Sequence, residues 1–326
     1  MAISFYPKST ILVAIKNGQK IFFYKANPYD KMPFSDGICL LIPPDAQSYV
    51  SFNNSRDQDF EGLTDDLGGS ISRDWGMDAI GEIPWRTSDE DDILKGKGIS
   101  YLLNAVNGQW VEESMEFLQK EAKVELRSIR PFPILAQNYL CHRLGREDAP
   151  CIVVHTGWDG TKVIIFFEIE GTLVPVVSRF LDGKGPYSPM LGLSLVTSKM
   201  QAGNADVFES YANAVSLDPL SKEFVEFFST QSGSEVVNAY TTSLADQIKN
   251  TWNGAFNTLE GILELPPLSI EDIPVFFSGL LRHPSEGIGL LSSAFRKQMP
   301  KAQPLLDGYR EYCEFDSHIM ALNHFS

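Results

Sequence analysis

The sequence predicts an α/β protein of two lobes, each a mixed sheet flanked by helices, and three observations lead there. Short apolar runs rich in Val, Ile and Phe alternate with longer stretches whose apolar residues recur every three or four positions. Three strand-like runs and a strand, helix, strand, helix order precede Gly145, and a β-meander followed by helices comes after it. A chain of 326 residues is long enough for two lobes, each of roughly 150 residues. The expected division is 1–150 and 151–326, with an acidic insertion at about 57–92.

The first lobe opens with three strands, Ile3 to Tyr6, Thr10 to Lys16 and Lys20 to Tyr24; Asn17-Gly18 between the last two is a strong hairpin signal. Gly37 to Ile42 is a continuous apolar run, and Ser48 to Asn53 alternates as a half-buried strand does. From Asp57 to Asp92 the pattern dissolves into acidic, turn-rich sequence with Trp75, Ile80, Ile83 and Trp85 as isolated apolar anchors. That stretch reads as a solvated loop with one short helix, or else as a partner-docking arm anchored by Trp75 and Trp85. Gly98 to Val106 is a strand. Trp110 to Lys123 is a helix with Val111, Met115, Leu118 and Ala122 on one face, and Val124 to Ile129 is again a strand. A helix beginning near Pro133 runs to Gly145.

Cys151 to Gly185 organises the second lobe: a strand over Cys151 to His155, a glycine-bearing turn over Thr156 to Gly160, a strand over Thr161 to Glu168, an Glu-Gly turn, and a strand over Leu173 to Phe180. Small residues at Thr156, Gly157, Gly160 and Thr161 suit either a tight turn or a backbone cradle for an anion. Ser221 to Phe228 and Glu235 to Leu263 read as helices, and Pro266-Pro267 breaks the second. Ile273 to Phe277 is a buried strand leading to Ser278-Gly279, Ile288 to Phe295 is the helix after it, and Asp316 to His324 closes the chain as a helix.

Composition narrows the function. The formal net charge of −15 argues against nonspecific nucleic-acid binding and against attraction to anionic membranes. No apolar run approaches the roughly 20 residues that cross a bilayer, and no signal-peptide pattern opens the sequence. A cytoplasmic protein without direct membrane insertion is expected. Cys39, Cys141, Cys151 and Cys313 are scattered and read as free thiols, and neither Cys-x-x-Cys nor His-Glu-x-x-His spacing points to a metal.

With those residues in view, Cys151 to Gly185 resembles the second phosphate loop of the actin, sugar kinase and Hsp70 superfamily. In nucleotide-hydrolysing members an Asp in the first strand of this loop holds the metal and its water; here His155 stands in that place. The resemblance puts the first phosphate loop at Pro7 to Thr10, which lacks the usual Asp and Gly. A plain loop is the simpler reading there, with Lys8 and Ser9 as the phosphate-facing alternative. Ser278-Gly279 falls where the adenosine loop carries a Gly-Gly pair. The GICLLIPPDAQSYVSFN segment and the element order from Gly98 to Gly185 resemble the PilM and GspL type of pilus-assembly and secretion-platform protein. The His-His-x-x-His metal pattern of the carbamoyltransferase type, which shares the fold, would fall on Gln137, Asn138 and Cys141, none of them His.

The resemblance implies the actin-like, ribonuclease H-like fold. Any nucleotide would meet Lys8, Ser9, Thr156, Gly157, Asp159, Gly160, Thr161, Ser278 and Gly279. Because the acidic positions are lost, it implies a pseudo-ATPase scaffold, cytoplasmic or peripheral to a membrane-bound pilus or secretion machine, that binds a protein partner with a basic surface. No metal and no cofactor are expected, with ATP held but not hydrolysed as the alternative. The competing function is an ATP-dependent sugar or small-molecule kinase in which Asp159 takes the acid's role.

Overall fold

A computed structural model describes residues 2–5, 11–17, 19–26, 38–42, 49–53, 80–87, 101–107, 116, 126–143, 149–157, 160–169, 172–182, 220–263 and 267–324. The chain divides into two compact units. The first is Met1–Glu147 with Phe166–Ser178 and Ser317–Ser326, the second Asp148–Ile165 with Arg179–Asp316.

The first unit is built on strands β1 (Ala2–Phe5), β2 (Ile11–Asn17), β3 (Lys20–Ala26), β4 (Ile38–Ile42) and β8 (Leu126–Pro131), in the order β3-β2-β1-β4-β8. The Asn17-Gly18 signal is answered by antiparallel pairing of β2 with β3, closing on Asn17 opposite Lys20. β1 runs antiparallel to β2 and parallel to β4, and β4 runs parallel to β8. The buried residues of this unit include Leu12, Val13, Ala14 and Leu41, so β2 is covered on both faces. Helix α1 (Phe132–Arg143) follows β8 without a linker and buries Phe132, Leu135, Ala136 and Leu140 at helical spacing.

The same unit holds an antiparallel group, β5 (Tyr49–Asn53), β7 (Tyr101–Asn107) and β6 (Ile80–Thr87), in the order β5-β7-β6. This corrects the expectation of a solvated loop over the whole of 57–92. Ile80 to Thr87 is an eight-residue strand that the sequence disguises with Gly81, Glu82 and Pro84. Proline is tolerated because β6 lies at the end of the strand order, where a missing ladder donor costs little. Residues 57–79 lie outside the described residues, as does the expected helix over 110–123 except for Glu116, which is helical.

The expected meander is present as β9 (Cys151–Thr156), β10 (Gly160–Ile169) and β11 (Thr172–Asp182). In the second unit β9 pairs in parallel with β12 (Val275–Gly279), and β12 pairs in parallel with β13 (Ala302–Pro304). Continuous apolar sequence in β9 and β12 is what burial on both faces requires, and every residue of both strands is buried. The strand order β11-β10-β9-β12-β13 repeats that of β3-β2-β1-β4-β8: three strands consecutive in the chain, then two more that pair in parallel. No self-similarity in the sequence announces this repeat, and β13, only three residues long, carries no strand signal of its own.

Three helices pack together in the second unit, α2 (Lys222–Phe228), α3 (Gln231–Leu263) and α4 (Glu286–Gln298), and α4 meets its strands. Ser221 caps α2 by accepting a hydrogen bond from the Phe224 N–H at 3.1 Å. α3 begins four residues before the expected Glu235 and runs unbroken through Gly254 and Gly261. Its buried residues Val236, Val237, Tyr240, Leu244, Ile248, Trp252, Ala255 and Phe256 form one stripe. Gly233 is required where α3 crosses the end of α2, because a Cβ there would lie 2.2 Å from the Phe227 carbonyl oxygen. α4 buries Ile288, Leu291, Ala294 and Phe295, and the Phe295 ring meets Phe277 of β12 edge-on at 6.4 Å. The last helix, α5, spans Asp316–His324 as expected.

Candidate functional site

Parallel pairing of β9 and β12 sets Ser278 opposite His155 and Gly279 opposite Thr156. Ser278 and Gly279 are therefore the last two residues of a strand, a correction to the expected strand end at Phe277. The two segments the sequence singled out as nucleotide loops thus end side by side. Their polar groups bond to one another. His155 Nδ1 lies 2.8 Å from Ser278 Oγ. Thr156 Oγ1 donates to the Ser278 carbonyl at 3.2 Å and accepts from the Leu281 N–H at 3.0 Å.

Gly279 has φ +74°, a region open to glycine and strained for other residues, and a Cβ there would lie 2.1 Å from the Thr156 carbonyl oxygen. The turn leads into a single 3₁₀ turn, Leu280–Arg282, that brings Arg282 back beneath the strand end. There the Gly279 N–H donates to Asp316 Oδ2 at 2.8 Å, and Arg282 Nη1 donates to Asp316 Oδ1. Arg282 Nη2 donates to the Gly308 carbonyl at 2.6 Å, across a turn in which Gly308 and Tyr309 have φ of 77° and 47°. Left-handed backbone at Tyr309, a residue with a bulky side chain, is an uncommon conformation.

Electrostatics follow from burial. His155 is 6% exposed; desolvation, with the Arg282 charge adding to it, lowers its pKa to about 3, so the imidazole is neutral near pH 7. Asp316 is fully buried, and desolvation raises its pKa to about 6 against the opposing pull of Arg282 and the Gly279 N–H. Burial likewise drives the Cys313 thiol up to about 12, leaving it a protonated, unreactive group.

This constellation bears on nucleotide chemistry. A backbone N–H at a left-handed glycine and an arginine guanidinium are the donors that hold a phosphate oxygen. Here both are turned onto the chain's own carboxylate, Asp316. A neutral imidazole at His155 supplies no negative charge to hold Mg²⁺, and its Nδ1 is engaged with Ser278.

Of the residues singled out from sequence, Thr156, Ser278 and Gly279 come together in this cluster. Thr161 is fully buried on β10, and its Oγ1 has no hydrogen-bond partner among the described residues. Gly157 directly follows β9, and Gly160 opens β10. Lys8, Ser9, Asp159 and Trp75 lie outside the described residues. Trp85 is on β6, where the register with β7 shifts between Pro84 and Arg86, so it occupies a bulge in the ladder. Sequence reasoning missed Arg282 and Asp316, which stand 34 positions apart. An arginine directly after an apolar strand was the available signal, but nothing in the sequence marked it as buried or named its partner.

Two groups of strands in one order, together with loop ends meeting at β9 and β12, are what an actin-like α/β fold requires. No protein-family model matches the chain, and no curated protein matches it. Among solved structures, one of the PilM–PilN type IV pilus biogenesis complex aligns with 99% of this chain and 98% of its own, at 10% identity and a TM-score of 0.50. The ethanolamine utilization protein EutJ from Carboxydothermus hydrogenoformans aligns with 93% of this chain and 84% of its own, at 14% identity and a TM-score of 0.39. A Bacteroides thetaiotaomicron protein of actin-like ATPase fold and unknown function aligns with 92% and 88%, at 8% identity and a TM-score of 0.40. The first of these likenesses carries the fold: the chain is an actin-like α/β protein.

Proposed function

We propose that this chain is a non-catalytic, actin-like assembly protein whose work is to bind a protein partner in a machine of the type IV pilus or type II secretion kind. The observation that supports it most is the closed cluster at the ends of β9 and β12, where Asp316 takes the donors a phosphate would need. Likeness of fold to a structure of the PilM–PilN pilus biogenesis complex favours partner binding over small-molecule chemistry. Among the described residues no helix is long and apolar enough to cross a membrane. On this reading the chain sits in the cytoplasm against a membrane-bound machine.

The partner surface in this reading is the acidic segment around 57–92, which pairs with a basic partner through charge steering and aromatic burial. Trp85, at the bulge of an end strand, is its anchor within the described part. Affinity capture of the full chain from its native cell, with the recovered protein then purified and titrated, tests this. Trp85→Ala is expected to weaken capture by about 2 kcal/mol, the scale of an interface hot spot. Removal of residues 64–79, which leaves β6 in place, is expected to abolish it. Capture that survives both changes would remove the acidic segment from the account.

A further inference from the structure

An aspartate at a helix start commonly caps that helix's own first amides. Asp316, the first residue of α5, does not: Oδ2 accepts from the Gly279 N–H at 2.8 Å and Oδ1 accepts from Arg282 Nη1. Both donors are held in place by bonds that do not involve Asp316. Thr156 Oγ1 pins the turn from the β9 side through the Ser278 carbonyl and the Leu281 N–H, and the Gly308 carbonyl anchors Arg282 through Nη2. Arg282 Nε is buried with no hydrogen-bond partner among the described residues, so Asp316 does not use up the donors of the guanidinium. Asp316 is fully buried and Arg282 is 4% exposed, and in such surroundings charge-assisted bonds are strong.

We propose that the turn after β12 is a binding site for a small monocarboxylate, that the chain fills it with Asp316 as a tethered ligand, and that a free carboxylate takes the same place when the Asp316 carboxylate is removed. The donor set selects the ligand. A main-chain N–H and a guanidinium each take one oxygen of a planar two-oxygen anion, and one guanidinium balances one negative charge. Phosphate, at about −1.5 to −2 near pH 7, brings more charge than the site offsets, since the neighbouring His155 is neutral. Asp316→Ala removes a carboxylate and keeps its Cβ, which leaves room for formate. The inference rests on the closed cluster that supports the proposed function, but not on any partner. Absent rescue would leave the outcome of partner capture as it is, and lost capture would leave rescue as it is.

The test compares amide hydrogen exchange and urea midpoints of the full-length Asp316→Ala variant in sodium formate and in sodium chloride at equal ionic strength. With formate at about ten times its dissociation constant, exchange at the Gly279 amide of the variant is expected to slow about tenfold, while the wild type changes less than about twofold. The effect is expected to saturate with formate, to be smaller with phosphate, and to vanish in Arg282→Met/Asp316→Ala. If the variant is unfolded in chloride, recovery of its circular dichroism in formate is the expected result and reads the same binding. Asp316→Asn, which keeps the place filled, is expected to show no formate effect. The proposal is overturned by equal exchange in the two salts, or by a variant that folds in neither. It is also overturned by a formate effect of equal size in the wild type or the double variant, which marks a bulk salt effect, or by phosphate protecting better than formate.

Discussion

Replacing Asp316 with Ala tests the closed cluster where it is most exposed to failure. The carboxylate is fully buried, and the Arg282 side chain beside it is 1% exposed, so truncation strands a guanidinium whose one described acceptor left is the Gly308 carbonyl. Breaking a buried ion pair from one side costs about 3–5 kcal/mol. The Gly279 N–H loses its acceptor in the same step, a loss of about 1–3 kcal/mol when such a donor stays buried. The two penalties share one carboxylate and are not additive, which puts the expected loss at about 4 kcal/mol, a large share of the 5–15 kcal/mol a folded domain commands. Urea unfolding of the full chain reads the global cost, and hydrogen exchange at the Gly279 and Leu281 amides reads it locally. Removing both partners with Arg282→Met/Asp316→Leu is expected to cost far less than Asp316→Ala alone, because no charge is left stranded. A loss under about 1 kcal/mol in the single variant, or a double variant as damaged as the single, would refute the assignment of Asp316 as the internal anion of this site.

Two further outcomes follow from the same cluster. Gly279→Ala combines a positive φ with a Cβ 2.1 Å from the Thr156 carbonyl oxygen; it is expected to lower the urea midpoint of the second unit by more than Gly254→Ala, whose Cβ meets nothing within 4 Å, and equal midpoints would contradict the geometry. Stability is also expected to fall on acidification. His155 and His318 are held neutral, at about 3 and about 4 against an ordinary 6.5, so the unfolded chain takes up protons first and stability drains away as pH falls below about 6.5. Asp316 works the other way, since its raised pKa of about 6 lets the folded state bind a proton more readily as pH falls towards 3.8. At pH 5 the two histidines cost about 2 kcal/mol each and Asp316 returns about 1 kcal/mol. Urea unfolding at pH 7 and pH 5 should therefore differ by about 3 kcal/mol, with a smaller difference in His318→Gln; a chain more stable at pH 5 than at pH 7 would contradict the burial of the imidazoles.

Much of the fold was legible because local chemistry and global packing agree along most of the chain. Asn17-Gly18 forces a hairpin, β9 and β12 open on unbroken apolar runs because both faces are covered, and the buried stripe of α3 repeats from Val236 to Phe256. β6 escaped because Gly81, Glu82 and Pro84 are poor strand formers that an end strand with a bulge tolerates. β13 escaped because its three residues, Ala302 to Pro304, owe their strand state to pairing with β12 and not to propensity. At the site, the meeting of Thr156 with Ser278 and Gly279 follows from two loop ends the sequence marked with small residues. The Arg282–Asp316 pair was invisible for the opposite reason: it joins residues distant in sequence, and a charge in the sequence reads as a solvated surface group until the fold buries it.

The most direct test of the central claim is MgATP turnover by the purified full chain, measured as phosphate release alongside calorimetric titration with MgATP. On the proposed reading, with the Gly279 N–H and the Arg282 guanidinium turned onto Asp316 and His155 held neutral, the chain is expected to release no phosphate above the buffer rate, in the wild type and in Asp159→Asn alike. Turnover by the wild type that disappears in Asp159→Asn would contradict the account and favour the competing reading, an ATP-dependent kinase.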